Sequence, residues 1–201
     1  MKKILFMVIA LWLVFFMVAF SQPGVEPVKG GTLVIAGDAE AGSLLWYLFN
    51  HPLEYVQGLP MYESLLQVDE SGQPQPYLLE SIDADPDALT YTLKLKEGIL
   101  FHDGSELTAE VCKWALEMYK ENGRKSASFF PNIESFEVTG DYTVVIHLSS
   151  WDSTIPQSLA RECGYMFSKQ AWDEHGKEYC TKHPVGTGPF MFEGWERDVS
   201  K

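Results

Sequence analysis

The run LTYTLKLKEGILFHDGSELTAE, residues 89–110, changes its hydrophobic period partway along. Leu89, Tyr91, Leu93 and Leu95 alternate with Thr90, Thr92, Lys94 and Lys96. A period of two puts alternate side chains on opposite faces of a pleated ribbon, so this is a strand with one dry face and one wet face. Lys96-Glu97-Gly98 ends it, and Asp103-Gly104 supplies a second turn before a helix. Thr108 can cap that helix by accepting a hydrogen bond from an amide of the first turn, and Glu110 complements the positive end of the helix dipole. Val111, Trp114, Ala115 and Met118 then recur at helical spacing on one face, and Gly123 is a natural stop.

The same logic extends in both directions. Upstream, Ser81–Ala84 followed by Pro86-Asp87-Ala88 predicts a hairpin into the strand, and Asp69-Glu-Ser-Gly72 predicts a turn. Residues 44–66 read as partly helical, interrupted at His51-Pro52 and Leu59-Pro60. Thr32–Ala36 reads as a short buried strand after Gly30-Gly31, and residues 37–42 as a loop. Downstream, Ile133, Phe136 and Val138 lead through Gly140-Asp141 to Tyr142, Val144, Ile146 and Leu148, a second hairpin with a Gly-Asp turn. Two short helices are expected around Ile155–Arg161 and Lys169–Tyr179. The interleaving gives a mixed α/β fold.

At the front, Lys2 and Lys3 precede seventeen uncharged apolar residues, Ile4–Phe20, and Ala19-Phe20-Ser21 offers a peptidase site. Residues 1–21 therefore read as a signal peptide, with an uncleaved anchor as the alternative, and 22–30 as a leader. Export places the protein in the periplasm or outside the cell, at the envelope. The full chain carries a net charge of −13, and loss of Lys2 and Lys3 makes it −15. Such acidity repels nucleic acid and anionic lipid, leaving membrane contact to a transporter or an uncleaved signal. The 6 Trp, 9 Tyr and 12 Phe provide for a core and for rings along a ligand site.

Few motifs carry chemistry. Val185-Gly186-Thr187-Gly188-Pro189 has the glycines of a phosphate loop but no following Lys and no helix, so it predicts a tight turn into a strand over Phe190–Trp195. His102-Asp103 is a turn by economy and a proton-transfer pair only if the fold brings the two groups together. His175, Cys180 and His183 make a loose ligand set whose spacing fits no common zinc pattern. Cys163 and Cys180 flank a helical stretch and are a candidate disulfide in an oxidising compartment, while Cys112 reads as a small buried hydrophobe. There is no nucleophile elbow, and no catalytic residue, resident metal or cofactor is indicated.

In order, GGTLVIAGDAEAGSL, MYESLLQVDESGQPQPYLLESI, LTYTLKLKEGILFHDGSELTAEVCKWALEMY, DYTVVIHL and HPVGTGPFMFEGW span residues 30–195. This succession resembles the extracellular solute-binding proteins of family 5, the peptide-binding class that feeds ABC importers. Leu79, Leu100 and Val111-Cys112 depart from the family's usual residues without touching the fold. The resemblance implies the N-terminal portion of a two-lobed periplasmic-binding-protein-like fold, with 31–60 a first-lobe segment, 61–182 an inserted lobe segment and 183–201 the return to the first lobe. It implies a monomer that captures peptide, nickel complex or oligosaccharide and presents it to permease and ATPase subunits. It also implies that Glu40, Ala41 and Gly42 run alongside the ligand, and that the family's acidic group for a peptide's amino terminus lies in a lobe beyond this chain, which reads as a truncated fragment. The alternatives are an exported metal-binding protein or enzyme using His175, Cys180 and His183, or a non-functional truncated product.

Overall fold

The structure, a computed structural model, describes residues 30–32, 34, 41–49 and 51–195. The signal and most of the leader, Glu40, and all but Thr32 and Val34 of the expected first strand lie outside the described residues. The chain divides into two units, 1–36 and 37–201. Of the first, Gly30 and Gly31 are described at φ values of 85° and 94°, which glycine reaches at little cost. Among the described residues, every helix and strand lies in the second unit.

A 3-10 turn, Trp46–Leu48, opens that unit, followed by helix α1, Pro52–Gly58, and a second 3-10 turn, Leu59–Met61. The His51-Pro52 pair begins a helix rather than interrupting one. Pro52 sits where no amide partner is needed, His51 Nδ1 accepts from the Leu53 amide, and Glu54 Oε2 accepts from the His51 amide at 2.9 Å. Strands β1, Leu66–Val68, and β2, Pro74–Pro76, form a two-stranded ribbon around the Asp69–Gly72 turn.

Strands β3, Leu79–Asp85, β4, Thr90–Leu95, β5, Ile133–Gly140, and β6, Thr143–Leu148, make an antiparallel sheet in the order β3-β4-β6-β5. The alternation in β4 holds: Tyr91, Leu93 and Leu95 are buried and Lys94 is exposed, its ammonium 2.8 Å from Glu80 on the neighbouring strand. Leu89 stands just before the strand, its carbonyl accepting from the Leu148 amide of β6 at 2.9 Å. It lies in the turn at φ 55°, a left-handed conformation that costs a branched side chain energy, yet it still packs on the core. The second hairpin turns one residue later than expected. Gly140 pairs with Thr143, so Asp141-Tyr142 forms the loop.

Helix α2, Ala109–Asn122, lies on β5 and β6, capped by Thr108 and closed by Gly123. Its buried stripe is Ala109, Cys112, Ala115, Leu116 and Tyr119, with Val111, Trp114 and Met118 on its flank. The stripe is therefore rotated from the expected face, with Cys112 and Leu116 buried and Trp114 set against Trp46 and Trp172. Short helices α3, Ser126–Phe129, and α4, Ile155–Leu159, precede α5, Lys169–Cys180, which is broken at Gly176 (φ 75°). Trp46 stacks on Phe167 at 5.1 Å and meets Trp114 at 6.1 Å, and Trp114 meets Trp172 at 5.8 Å. These rings build the core that joins residues 44–49 to α2 and α5.

All three cysteines are free and buried, so the expected Cys163–Cys180 bond is not formed. The Cys163 thiol donates to the Ser158 carbonyl and the Cys180 thiol to that of Ala171, each held by its own local backbone. Burial pushes Cys112 up to about 12 and Cys180 up to about 11. Among the described residues no helix is long and apolar enough to cross a membrane.

Candidate ligand-binding site

Three backbone segments converge where the chain comes back from α5. They are residues 41–44, the 3-10 turn Leu59–Met61, and the loop 183–195. The Gly188 amide donates to the Met61 carbonyl and the Phe190 amide to that of Pro60, both at 3.1 Å. This approach is too close for side chains. A Cβ on Gly186 would stand 2.0 Å from the Met61 carbonyl oxygen, and one on Gly188 would stand 2.6 Å from the Pro60 oxygen. The glycines of Val185–Pro189 thus serve close backbone packing, not phosphate binding.

The expected strand over Phe190–Trp195 is not formed. The backbone that this segment meets is a 3-10 turn, which presents two carbonyls rather than a strand edge. Phe190 and Met191 are exposed, while Phe192 and Trp195 lean on Ala41, Leu44 and Met61.

Residues 41–44 are held from two sides. The Leu44 amide donates to the Thr181 carbonyl at 3.1 Å, and the Leu44 carbonyl accepts from the buried Tyr62 hydroxyl at 2.7 Å. Ala41 is buried, and Gly42 is exposed beside Glu54, whose Oε1 would lie 3.2 Å from an added Cβ. Glu40, the third residue of the expected ligand-lining stretch, lies outside the described residues.

On the other flank lies a pocket of about 300 Å³ whose lining includes His102, Asp103, Tyr179, His183, Phe192 and Glu193. His102 and Asp103 do not pair with each other. The imidazole bonds to the Gly188 carbonyl, while Asp103 Oδ2 accepts from Ser168 and Oδ1 from Ser105. Burial raises the Asp103 carboxyl, but the Ser105 and Ser168 hydrogen bonds outweigh it and the net shift is downward. His175, Cys180 and His183 do not converge either. The Tyr179 ring packs on both imidazoles, at 4.4 and 4.0 Å, and the Cys180 thiol points to a buried carbonyl. Among the described residues no group of three or more His, Cys, Asp or Glu is placed to hold a metal.

Sequence reasoning missed the Leu44–Tyr62 and Leu44–Thr181 anchors and the burial of Ala41. No local pattern encodes them, since each joins segments far apart in the chain.

Comparison with known proteins gives a consistent result. The profile of the bacterial extracellular solute-binding proteins, family 5 Middle, matches residues 73–200. The glutathione-binding protein GsiB of Pectobacterium atrosepticum is 35% identical over 166 residues, covering 82% of this chain and 32% of that protein. Among solved structures, DppA of Helicobacter pylori in complex with the peptide STSA matches with a TM-score of 0.69 at 28% identity, over 80% of this chain and 36% of that one. AppA of Bacillus subtilis in complex with a nonapeptide matches with a TM-score of 0.68 at 27% identity, over 79% and 33%. The chain spans about a third of the length of the curated relatives it matches.

Proposed function

The chain belongs to the bacterial extracellular solute-binding proteins of family 5, and from that premise we propose that it captures a short peptide, or another small solute of similar size, outside the cytoplasmic membrane for delivery to an ABC permease and its ATPase. The observation that carries this reading is the junction at Met61 and Gly188. An inserted lobe has to return beside its point of departure, and the Gly188 amide bonds to the Met61 carbonyl. The junction thus supports a first-lobe segment over 31–60, an inserted lobe over 61–182 and a return over 183–201.

Ligand capture in such a fold needs one lobe to offer fixed backbone groups while another closes over them. The stretch Glu40-Ala41-Gly42 is our candidate for that role. Ala41 is buried in a small cluster with Leu44 and Met61, against which Phe192 and Trp195 pack, and Gly42 is open to solvent. A peptide is the favoured class because GsiB is glutathione-binding by name and both DppA and AppA hold a bound peptide. Such a protein carries its solute unchanged, so no residue is assigned a catalytic role.

Thermal unfolding of the purified chain with glutathione, a tetrapeptide or nickel-histidine tests the proposal. Ligand at a hundred times its Kd stabilises a folded protein by about 2.7 kcal/mol. A rise in Tm with glutathione or the tetrapeptide is the expected result. A folded chain that none of the three stabilises overturns the reading.

A further inference from the structure

The sequence offered His102 as half of a proton-transfer pair, and the structure gives it a different set of partners. Its backbone amide donates to the Gly186 carbonyl at 2.9 Å, and its ring Nε2 lies 2.8 Å from the Gly188 carbonyl oxygen. A carbonyl only accepts, so Nε2 carries the proton. That leaves Nδ1 buried without a hydrogen-bond partner. An unpaired buried acceptor is unfavourable, and its retention is consistent with a ring held for what its other nitrogen does.

Beyond the ring, the next residue along the turn makes a second tie. Asp103 Oδ2 accepts from the fully buried Ser168 hydroxyl, which itself accepts from the Ala171 amide at 3.0 Å and caps α5. The Ser168 amide donates to the Val185 carbonyl at 2.9 Å. The turn at 101–105 therefore grips the loop at Gly186 and Gly188 directly and at Val185 through Ser168. On the opposite side Gly188 and Phe190 are bonded to Met61 and Pro60. Phe192, two residues further on, packs against the cluster of Ala41, Leu44 and Met61.

We propose that His102 is a positioning residue, whose Nε2–H fixes the height of the 186–190 loop and thereby sets Phe192 against the cluster that holds Ala41. The role for Ala41 rests on the solute-capture reading, whereas the loop's dependence on His102 does not. The experiment is therefore chosen to need no ligand. Hydrogen exchange of the full chain is followed by mass spectrometry in peptides spanning 184–192 and, as a reference, in β4 and β6.

In His102→Ala the loop peptide is expected to exchange about tenfold faster, the effect of losing one net hydrogen bond, with the sheet peptides unchanged. His102→Gln, whose Nε2 reaches the same carbonyl, restores slow exchange. His102→Asn, one methylene shorter, behaves like the alanine variant and decides the matter if His102→Ala does not fold. Unchanged loop exchange in His102→Asn, equal acceleration of loop and sheet, or failure of His102→Gln to restore protection overturns the proposal. Glutathione affinity of the same variants then reports on the Ala41 link alone. Weakening in Asn but not in Gln supports the link, and equal affinity in both removes it.

Discussion

At the scale of single residues, the crossover loop depends on having no side chain at two points. Gly186 and Gly188 are not at left-handed dihedrals, so their requirement is contact rather than conformation. A Cβ on Gly188 would strike only backbone atoms of Pro60 and Met61, which cannot rotate away, and one on Gly186 would strike the Met61 backbone and the Tyr62 ring. Gly188→Ala is therefore expected to destabilise the protein by about 1–3 kcal/mol, the usual range for overpacking, as measured by urea unfolding. Gly72→Ala, where an added Cβ meets nothing within 4 Å but the φ is 83°, separates the two causes. Its cost is dihedral strain alone, about 1 kcal/mol. Equal stability of wild type and Gly188→Ala would mean that the loop does not sit against Met61.

Among the elements, the β1–β2 ribbon shows how one carboxylate can hold a turn. Asp69 Oδ1 accepts from the Ser71 hydroxyl and amide and from the Gln73 amide, and Oδ2 accepts from the Gln75 side chain. The Ser71 hydroxyl, then the Gln73 amide, hold its carboxyl down at about 2 against an ordinary 3.8. Because the folded value is the lower one, the stabilisation is complete above about pH 4 and is lost as pH falls toward 2. Amide protection at Ser71 and Gln73, followed by NMR, is expected to fall across that window, and Asp69→Asn to abolish the dependence. The turn was legible because its signals are local, as were the β3–β4 hairpin, the Thr108 cap and the Gly123 stop. What was not legible had tertiary causes. The stripe of α2 is set by which side the sheet occupies, and Phe190–Trp195 meets a 3-10 turn in place of a strand to pair with. The same division holds for the candidate site. Its glycines and the Ala41-Gly42 stretch could be named in advance, but the reason for the glycines lies in Met61, which no motif ties to them.

For the molecule as a whole, the thiols report the integrity of the core. Cys112 and Cys163 are fully buried at 0% exposure, and burial, aided at Cys163 by Glu162, holds both thiols well above their ordinary range. A thiol must ionise to react, so the native protein is expected to show no fast-reacting cysteine at pH 8. All three are expected to react in guanidinium, as counted with a chromogenic disulfide reagent. A single reactive thiol after unfolding would mean that the other two had joined. The contact between Met61 and Gly188 has one more consequence, for tolerance of change. A segment whose ends touch presents its host with the same pair of anchor points whatever its length, and the entropy of closing it grows only logarithmically. Exposed loops between Met61 and Gly188 could thus be lengthened or trimmed while the Met61–Gly188 bond stayed put, so long as the rings that pack on Trp46 are kept.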